Sequence, residues 1–423
     1  MIANSVDLYK KSLALIPGGS QMFNKRPVTY GSATYPILAE RAEGPYLYDV
    51  DGNRYVDYLL AYGAIHLGYN YPAVKKFVRD ETDKRTIHSV NDPLEIELAE
   101  ELTNTITSAE MVKYFLSGSE ATTAAVRIAR AHTGRNMIVK WGYHGWHDWT
   151  RIVRGGPTRG MVDYLRMINC PVESITHVPE EVSNSTIELE YNNLGSLESL
   201  MCKEGEDIAC VIMEPFYFNL PNEGYLQGVK EIANSHGALF ILDEVKTGMR
   251  VSNGGAQQLF KVVPDLSVFS KAISNGYPFS VVVGKRNVMK TCENLWFAGT
   301  NCGNIVGISG ALATIREAKK VDAPVHIWSL GTRIMDGIKS LLDTHKIPGK
   351  IGGMPPMPYL AFTHDDFEKR KKAAETYLGE LVRRGVFMPV EHCFYISYAH
   401  SKADIDDTLN AIDGAFKKLK DNL

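Results

Sequence analysis

A lysine and an acidic pair follow two short apolar segments of the sequence. Ser270-Lys271 comes after the segment 266–269, and Asp243-Glu244 comes after the segment 239–242. A lysine at the end of a buried strand is partly desolvated, which lowers its pKa and makes it a nucleophile toward carbonyl groups. Buried carboxylates need a cationic partner. A solvated lysine and a structural ion pair remain the alternatives for each feature taken alone.

Ser117-Gly118-Ser119-Glu120 offers a place for an anion. Ser117 and Glu120 have the spacing of a capping box, so we predict that a helix begins here. Gly118 lets the backbone approach a ligand, and the N–H groups of a helix N-terminus attract phosphate. A capped helix without a ligand is the alternative reading of this segment.

Aromatic and acidic residues follow two further apolar segments. In Trp141–Asp148, the Tyr143 ring could stack on a planar cofactor, while His144 and His147 lack a third ligand at a spacing that suits a metal. Glu214 follows the segment 208–213. These residues complete a row of polar groups, each after an apolar segment.

The elements that must position these residues are short strands alternating with helices. Residues 46–60 predict a hairpin that turns at Asp51-Gly52-Asn53. Predicted strands are 111–116, 137–141, 208–213, 239–242, 266–269 and 279–283, and predicted helices are 6–16, 93–107, 119–132, 306–320 and 328–345. This alternation predicts an α/β fold with a mostly parallel central sheet, in which ligands gather at the carboxyl ends of the strands.

The domain organisation follows from the same pattern. We expect residues 61–310 to form a large domain. Residues 1–60 and 311–423 are expected to form a smaller α+β domain beside it.

Taken together, the polar groups match the needs of one cofactor. Pyridoxal 5′-phosphate (PLP) requires an anion site, a ring sandwich, a carboxylate at its pyridine nitrogen and an amine for its aldehyde. The ordered row of strand-end groups supplies all four. We therefore predict a PLP enzyme in which Lys271 forms a Schiff base with the cofactor.

Composition favours small-molecule chemistry. Lys and Arg number 46 against 49 Asp and Glu, a net charge of −3 with no block of like charge, so we expect neither nucleic acid nor membrane as a partner. We find no secretory signal at the N-terminus. The six cysteines are scattered without a Cys-x-x-Cys pair. We therefore expect reduced thiols and a cytoplasmic location.

The ordered motifs resemble those of the class III (ω-aminotransferase-like) PLP enzymes. They are SGSEATTAAVRIARAHTGR (117–135), YHGWHD (143–148), MEP (213–215), LDEVKTG (242–248), SKAISNGYP (270–278) and FAGTNCGN (297–304). Within the family the chain is most similar to the glutamate-1-semialdehyde aminomutase-like subgroup, through 16–19, 40–58 and 404–416. The resemblance covers nearly the whole chain and implies the fold of type I PLP-dependent transferases.

The resemblance also implies roles for individual residues. Lys271, Asp243 and Glu214 would be catalytic, with Asp243 at the pyridine nitrogen and Glu214 beside the cofactor. The implied cofactor-binding residues are Gly118, Ser119, Tyr143, His144, Asp243, Val245, Lys271 and Thr300. In the family Thr300 reaches the phosphate of the neighbouring subunit, which implies a homodimer with shared active sites.

Departures from the family pattern concern the substrate. Lys246 replaces the Gln of the common DEVQTG motif, and segment 388–401 lacks the usual carboxylate-binding Arg. The aminomutase subgroup has other residues at 20–27, at 61–63 and near His392, which argues for a transaminase of altered substrate. Candidate substrate-selecting residues, each with a structural role as the alternative, are Tyr62, Lys25, Arg26, Asn219 and His392.

We therefore predict a ping-pong aminotransferase that moves an amino group between an amino donor and a keto or aldehyde acceptor. An aminomutase, a racemase or a decarboxylase would use the same cofactor residues, and these alternatives stay open. A binding module without turnover is a further alternative, but the presence of both Lys271 and Asp243 argues against it.

Overall fold

The computed structural model describes residues 2–27, 38–157 and 159–420. Its strands are β1 (Ala39–Glu43), β2 (Tyr46–Asp49), β3 (Arg54–Asp57), β4 (Met111–Phe115), β5 (Met137–Trp141), β6 (Thr186–Glu188), β7 (Ile208–Met213), β8 (Leu239–Asp243), β9 (Leu266–Phe269), β10 (Ser280–Gly284), β11 (Gly349–Met354), β12 (Met357–Phe362) and β13 (Val386–Phe387).

The helices lie before, between and after these strands along the chain. They are α1 (Ala3–Leu15), α2 (Leu60–Gly63), α3 (Pro72–Thr82), α4 (Pro93–Thr105), α5 (Gly118–Thr133), α6 (Asp148–Arg151), α7 (Arg159–Met167), α8 (Glu180–Asn184), α9 (Leu194–Glu204), α10 (Tyr225–Ser235), α11 (Ala256–Leu259), α12 (Arg286–Met289), α13 (Ile305–Lys320), α14 (Ala323–His345), α15 (Phe367–Arg383) and α16 (Lys402–Lys420).

The central sheet has the strand order β4-β10-β9-β8-β7-β5-β6 within the described residues. Strand β10 runs antiparallel to both of its neighbours, while the pairs from β9 to β6 are parallel. The prediction of an α/β fold with a mostly parallel sheet is therefore confirmed.

Two apolar layers explain why the central strands read as continuous apolar runs. All residues of β7 are buried. Cys210 and Ile212 pack with α5 on one face, and Val211 and Met213 pack with α9 and α10 on the other. Since side chains alternate between the faces of a strand, a strand covered on both faces must be apolar throughout.

A second sheet joins the two ends of the chain. Its order is β1-β2-β3-β13, with β13 parallel to β3. The predicted hairpin is β2–β3, and Gly52 in its turn has a φ of 85°. The Asp49 carboxylate fixes this turn because it accepts hydrogen bonds from the backbone N–H groups of Asp51 (3.0 Å) and Asn53 (2.8 Å). The domain boundaries near residues 60 and 310 stay predictions.

Predicted and observed elements differ at their ends. The predicted helix 6–16 is α1 (Ala3–Leu15), and the predicted helix 328–345 is the later part of α14 (Ala323–His345). Helix α14 begins before residue 328, where its apolar pattern begins. Pro324 lies in its first turn, a position at which the missing N–H of proline is tolerated. Among the described residues, no helix combines the length and apolarity needed to cross a membrane.

Arg250 connects the large sheet to segments from both ends of the chain. Its guanidinium is fully buried and donates to the carbonyl oxygens of Gly63 (2.8 Å), Ile65 (3.0 Å) and Ile396 (2.9 Å). The same group lies 4.8 Å from the centroid of the Tyr395 ring. One buried cation thus satisfies three carbonyls that no solvent reaches.

We predict that Arg250→Leu lowers the free energy of unfolding by about 3 kcal/mol or more, because three buried carbonyls lose their donor. Chemical denaturation measures this change. The matched control is Arg333→Leu, which removes an exposed ion pair with Asp406 and should cost less than about 1 kcal/mol. Equal effects of the two substitutions would contradict the connecting role of Arg250.

Candidate active site

Polar side chains from neighbouring strands meet at the carboxyl edge of the central sheet. Strand β8 ends in Asp243, and β7 runs into Glu214. Strand β5 leads into Tyr143 and His144, and β9 leads through Ser270 into Lys271. The clustering that the sequence predicted at strand ends is thus present in the structure.

The N-terminus of α5 is built to face an anion. The Ser117 hydroxyl accepts the Glu120 N–H (3.3 Å), and the Glu120 carboxylate accepts the Ser117 N–H (3.0 Å). This is the predicted capping box. A Cβ on Gly118 would lie 3.1 Å from the Val245 side chain, a tight contact, so glycine lets the helix approach the segment after β8 closely.

A buried carboxylate lies at the centre of the edge. Asp243 is 2% exposed, and one of its oxygens lies 2.6 Å from His144 Nδ1. Its other oxygen accepts the Val245 N–H at 3.0 Å. The His144 ring stacks on Trp149 with centroids 5.9 Å apart, and its backbone carbonyl accepts the Thr122 hydroxyl at 2.7 Å. These contacts fix both the position and the orientation of the carboxylate.

The other ring nitrogen of His144 is a candidate ligand contact. His144 Nε2 is buried and has no hydrogen-bond partner among the described residues. Leaving a buried polar atom without a partner is unfavourable, so this nitrogen is available to a ligand atom.

Lys271 follows β9 in a strained backbone conformation. Its φ is +54°, in the left-handed region that non-glycine residues seldom adopt. Burial lowers the pKa of Lys271 to about 8, and the nearby Lys246 ammonium adds to this effect. Asn275 fixes the segment because its side-chain oxygen accepts the N–H groups of His66 and Leu67, both at 2.8 Å.

Glu214 is paired with a lysine that the sequence marked only as a departure. Lys246 Nζ lies 2.6 Å from one Glu214 oxygen, and the two side chains are 10% and 5% exposed. The other Glu214 oxygen accepts the Tyr143 N–H at 3.0 Å. Gly142 has a φ of 104° and leaves room for Glu214, because a Cβ there would lie 2.6 Å from a carboxylate oxygen. The closeness of Glu214 therefore explains why residue 142 is a glycine.

The structure does not bring all five predicted substrate-selecting residues together. Tyr62 and His392 line one pocket and their ring centroids are 6.0 Å apart. Lys25 and Asn219 are exposed, and the Arg26 guanidinium lies over the Phe23 ring at 4.4 Å. The structure therefore brings together Tyr62 and His392, whereas it gives Lys25 and Asn219 surface positions.

Two further predicted cofactor residues are partly or largely open to solvent. Tyr143 is 49% exposed, with Arg151 6.0 Å from the centroid of its ring. Thr300 is exposed in the segment between 3₁₀ turn Lys290–Asn294 and α13. In this chain neither residue is enclosed.

Sequence reasoning missed a group of residues next to Lys246. The Lys246 ammonium lies 4.2 Å from the centroid of the Tyr217 ring. Cys393 is buried, and its sulfur lies 3.1 Å from the Tyr395 hydroxyl. Burial alone would raise the pKa of Cys393, but His392 and Lys246 outweigh it and lower that pKa. No local pattern places Cys393 near Lys246, since these two residues are far apart in the sequence.

Comparisons with known proteins agree with the predicted resemblance. The family described as Aminotransferase class-III matches residues 28–416. A 3-aminobutyryl-CoA aminotransferase of Cloacimonas acidaminovorans (strain Evry) is 33% identical over 99% of this chain and 98% of its own length. A glutamate-1-semialdehyde 2,1-aminomutase of Hyperthermus butylicus is 34% identical over 98% of this chain and 99% of its own length.

Solved structures share the fold. The Sphingopyxis sp. MTA144 FumI protein, solved with PLP, has a TM-score of 0.88 at 24% identity over 98% of this chain and 96% of that chain. A glutamate-1-semialdehyde aminomutase of Pseudomonas aeruginosa PAO1 has a TM-score of 0.84 at 20% identity over 99% and 95%. The predicted fold of type I PLP transferases is thereby confirmed. Because the family match spans residues 28–416, the chain belongs to the class-III aminotransferases, whose cofactor is pyridoxal 5′-phosphate.

Proposed function

We propose that this aminotransferase moves an amino group from an amino donor to a keto or aldehyde acceptor, with Lys271 as the residue that holds PLP. The observation that carries this assignment is the pairing of β8 with β9, in which Asp243 aligns with Val268. The buried carboxylate and the amine of Lys271 thus follow the ends of adjacent parallel strands. A carboxylate and a nucleophilic amine are the two groups that the cofactor ring requires.

The residues present fit this cofactor. The N-terminus of α5, kept open by Gly118, suits its phosphate. The buried Asp243 suits a protonated pyridine nitrogen, and the partly buried Val245 suits one face of the ring. His144 Nε2 lacks a partner among the described residues, which is the state expected where a ligand completes the site.

Each residue then has a chemical task. When bound, PLP supplies an aldehyde for imine formation and an electron-withdrawing ring that stabilises negative charge on the substrate carbon. Asp243 would hold a proton at the ring nitrogen, and His144 would orient the carboxylate through the 2.6 Å contact. Lys271 Nζ would accept the proton from the substrate carbon that carries the amino group. A pKa of about 8 suits a base that works near neutral pH.

The relatives also suggest one alternative activity. Glutamate-1-semialdehyde aminomutases are among the proteins similar to this chain, and an aminomutase would keep the intermediate bound and move the amine within one molecule. Tyr62 and His392 lie at positions where the sequence departs from that subgroup, and they line one pocket. The His392 ring lies 6.5 Å from the ring of Tyr217, which contacts Lys246, so we propose that this pocket receives part of the substrate. This difference favours transamination of another substrate.

We also propose a homodimer with shared active sites. Exposed apolar side chains include Val90 (78%), Ile96 (65%), Trp146 (70%) and Trp296 (83%). A dimer interface that covered them would remove apolar surface from water. The segments before α4 and α13 are connected, because the Ile305 N–H donates to the Thr86 carbonyl at 2.9 Å. Thr300 lies exposed on the second segment, as a residue directed at a partner subunit would.

A cytoplasmic location is part of the same proposal. All six cysteines lie in the described residues and are free thiols. Free thiols are typical of proteins in a reducing compartment.

We predict that the holoenzyme releases one free oxo product for each amino donor consumed, and that Lys271→Ala lowers this turnover by at least about 1,000-fold because the proton acceptor is lost. Single-turnover assays with a panel of amino donors measure it. Lys285→Ala, which removes an ion pair with Asp265, is the matched control and should keep the parent rate. Rearranged amine without oxo product would identify an aminomutase, and an active Lys271→Ala enzyme would overturn the assignment.

Shared active sites predict complementation between two damaged subunits. Lys271→Ala and Thr300→Ala chains are each expected to be impaired, whereas hybrid dimers contain one site with both residues intact. Random mixing should therefore restore up to about a quarter of the parent activity. Recovery is measured after co-refolding, with hybrid formation checked by native mass spectrometry. Hybrid dimers without recovered activity, or a monomeric parent, would refute shared sites.

A further inference from the structure

The Trp149 side chain stacks on the histidine that contacts Asp243. The rings of His144 and Trp149 are nearly parallel, with an interplanar angle of 10° and centroids 5.9 Å apart. Trp149 is 6% exposed, and the His144 side chain is fully buried. Because His144 Nδ1 lies 2.6 Å from Asp243, close packing of the indole limits how far the imidazole can move away from the carboxylate.

Thr123 of α5 fixes the polar edge of Trp149. The indole Nε1–H donates to the Thr123 hydroxyl oxygen at 2.9 Å. The same oxygen lies 2.7 Å from Nδ1 of His147, so the hydroxyl is held from two sides. An indole N–H that is removed from water needs an acceptor, and this hydrogen bond therefore sets the rotation of the Trp149 ring.

The backbone next to these rings is attached to α5 as well. The Thr122 hydroxyl donates to the His144 carbonyl at 2.7 Å. Gly145 has a φ of 106° and lies against the helix, because a Cβ there would overlap the Ser119 hydroxyl. The segment 144–149 therefore has a fixed position relative to the start of α5.

Helix α5 thereby connects the two places that we propose for the ends of the cofactor. Its N-terminus is the place proposed for the phosphate, and Thr122 and Thr123 lie in the following turn. These threonines hold the segment that places His144 against Asp243. The phosphate and the ring nitrogen of the cofactor are joined through one rigid ring, so a site for both requires a carboxylate at a fixed place relative to the helix.

We propose that Trp149, held by Thr123, is a positioning residue for the ring nitrogen of the cofactor. It keeps His144 against Asp243 and so keeps that carboxylate aligned with the protonated nitrogen. The proposal rests on the proposed function, in which Asp243 is the partner of this nitrogen. A charge-assisted hydrogen bond depends on geometry, so a fixed carboxylate gains more from it than one that must be ordered on binding.

The test compares two ligands that differ only at the ring nitrogen. They are pyridoxamine 5′-phosphate and its analogue with a C–H group in place of that nitrogen, and neither forms a Schiff base with a lysine. Isothermal titration calorimetry of the enzyme freed of its cofactor gives a Kd for each ligand. The parent should bind pyridoxamine 5′-phosphate more tightly by at least about tenfold, because only this ligand offers an N–H to Asp243.

Two substitutions break the hydrogen bond between the indole and the helix. Thr123→Val keeps the shape of the side chain and removes the acceptor, while Trp149→Phe keeps a flat ring and removes the donor. Each should reduce the ratio of the two Kd values by roughly three- to tenfold, because binding of pyridoxamine 5′-phosphate weakens and binding of the analogue does not. The double variant should resemble the single variants, since both substitutions remove the same bond. Thr123→Ser restores a hydroxyl and should keep the parent ratio.

Trp328→Phe is the matched control. The Trp328 indole N–H also donates from a partly buried position, to the Val251 carbonyl at 2.8 Å. Its loss should leave the ratio of the Kd values at the parent value. Near-UV circular dichroism shows whether each variant is folded. If Trp149→Phe does not fold, Thr123→Val and Thr123→Ser test the same bond from the helix.

A parent ratio that persists in folded Thr123→Val and Trp149→Phe would overturn this inference. Equal weakening of both ligands would also overturn it, because that is the result expected of a merely structural role. A parent that does not distinguish the two ligands would refute the assignment of Asp243 and this inference with it. Failure of Lys271 to hold PLP has a different signature, since neither ligand bonds to a lysine and the ratio would stay as predicted.

Discussion

The strands of a parallel sheet all end at the same edge, and the chemistry of this protein depends on that constraint. Residues far apart in sequence, such as His144, Glu214, Asp243 and Lys271, become neighbours because each follows the carboxyl end of a strand. Apolar side chains pack closely on both faces of the sheet and hold the ends of the strands in fixed positions. A site built on such ends is therefore rigid before any ligand arrives.

The second constraint is the burial of charge. Asp243 and Glu214 are nearly inaccessible to solvent, and each is neutralised or oriented by a specific partner. Asp243 contacts His144, and Glu214 is paired with Lys246. Lys271 differs because burial favours its neutral form, and a neutral amine is the reactive one. The two buried carboxylates thus each have a specific polar partner, whereas burial favours the neutral form of Lys271.

Local patterns were sufficient to predict much of the fold and the placement of several candidate site residues at strand ends. Apolar runs such as 208–213 fall on a strand buried on both faces, and the Ser117–Glu120 spacing gave the start of α5. Long-range pairing was not predictable. The contact of Lys246 with Glu214 depends on the register of β7 and β8, and the approach of Cys393 depends on packing between distant segments. Such contacts leave no periodic signal in the sequence.

The central claim is that Lys271, and not the neighbouring Lys246, holds the cofactor. Reduction of the holoenzyme with sodium borohydride turns the bond between a lysine and PLP into a stable secondary amine. Protease digestion and mass spectrometry then identify the modified residue. We expect one phosphopyridoxyl group, on Lys271. Modification of Lys246 or of another lysine, or no modification, would contradict it.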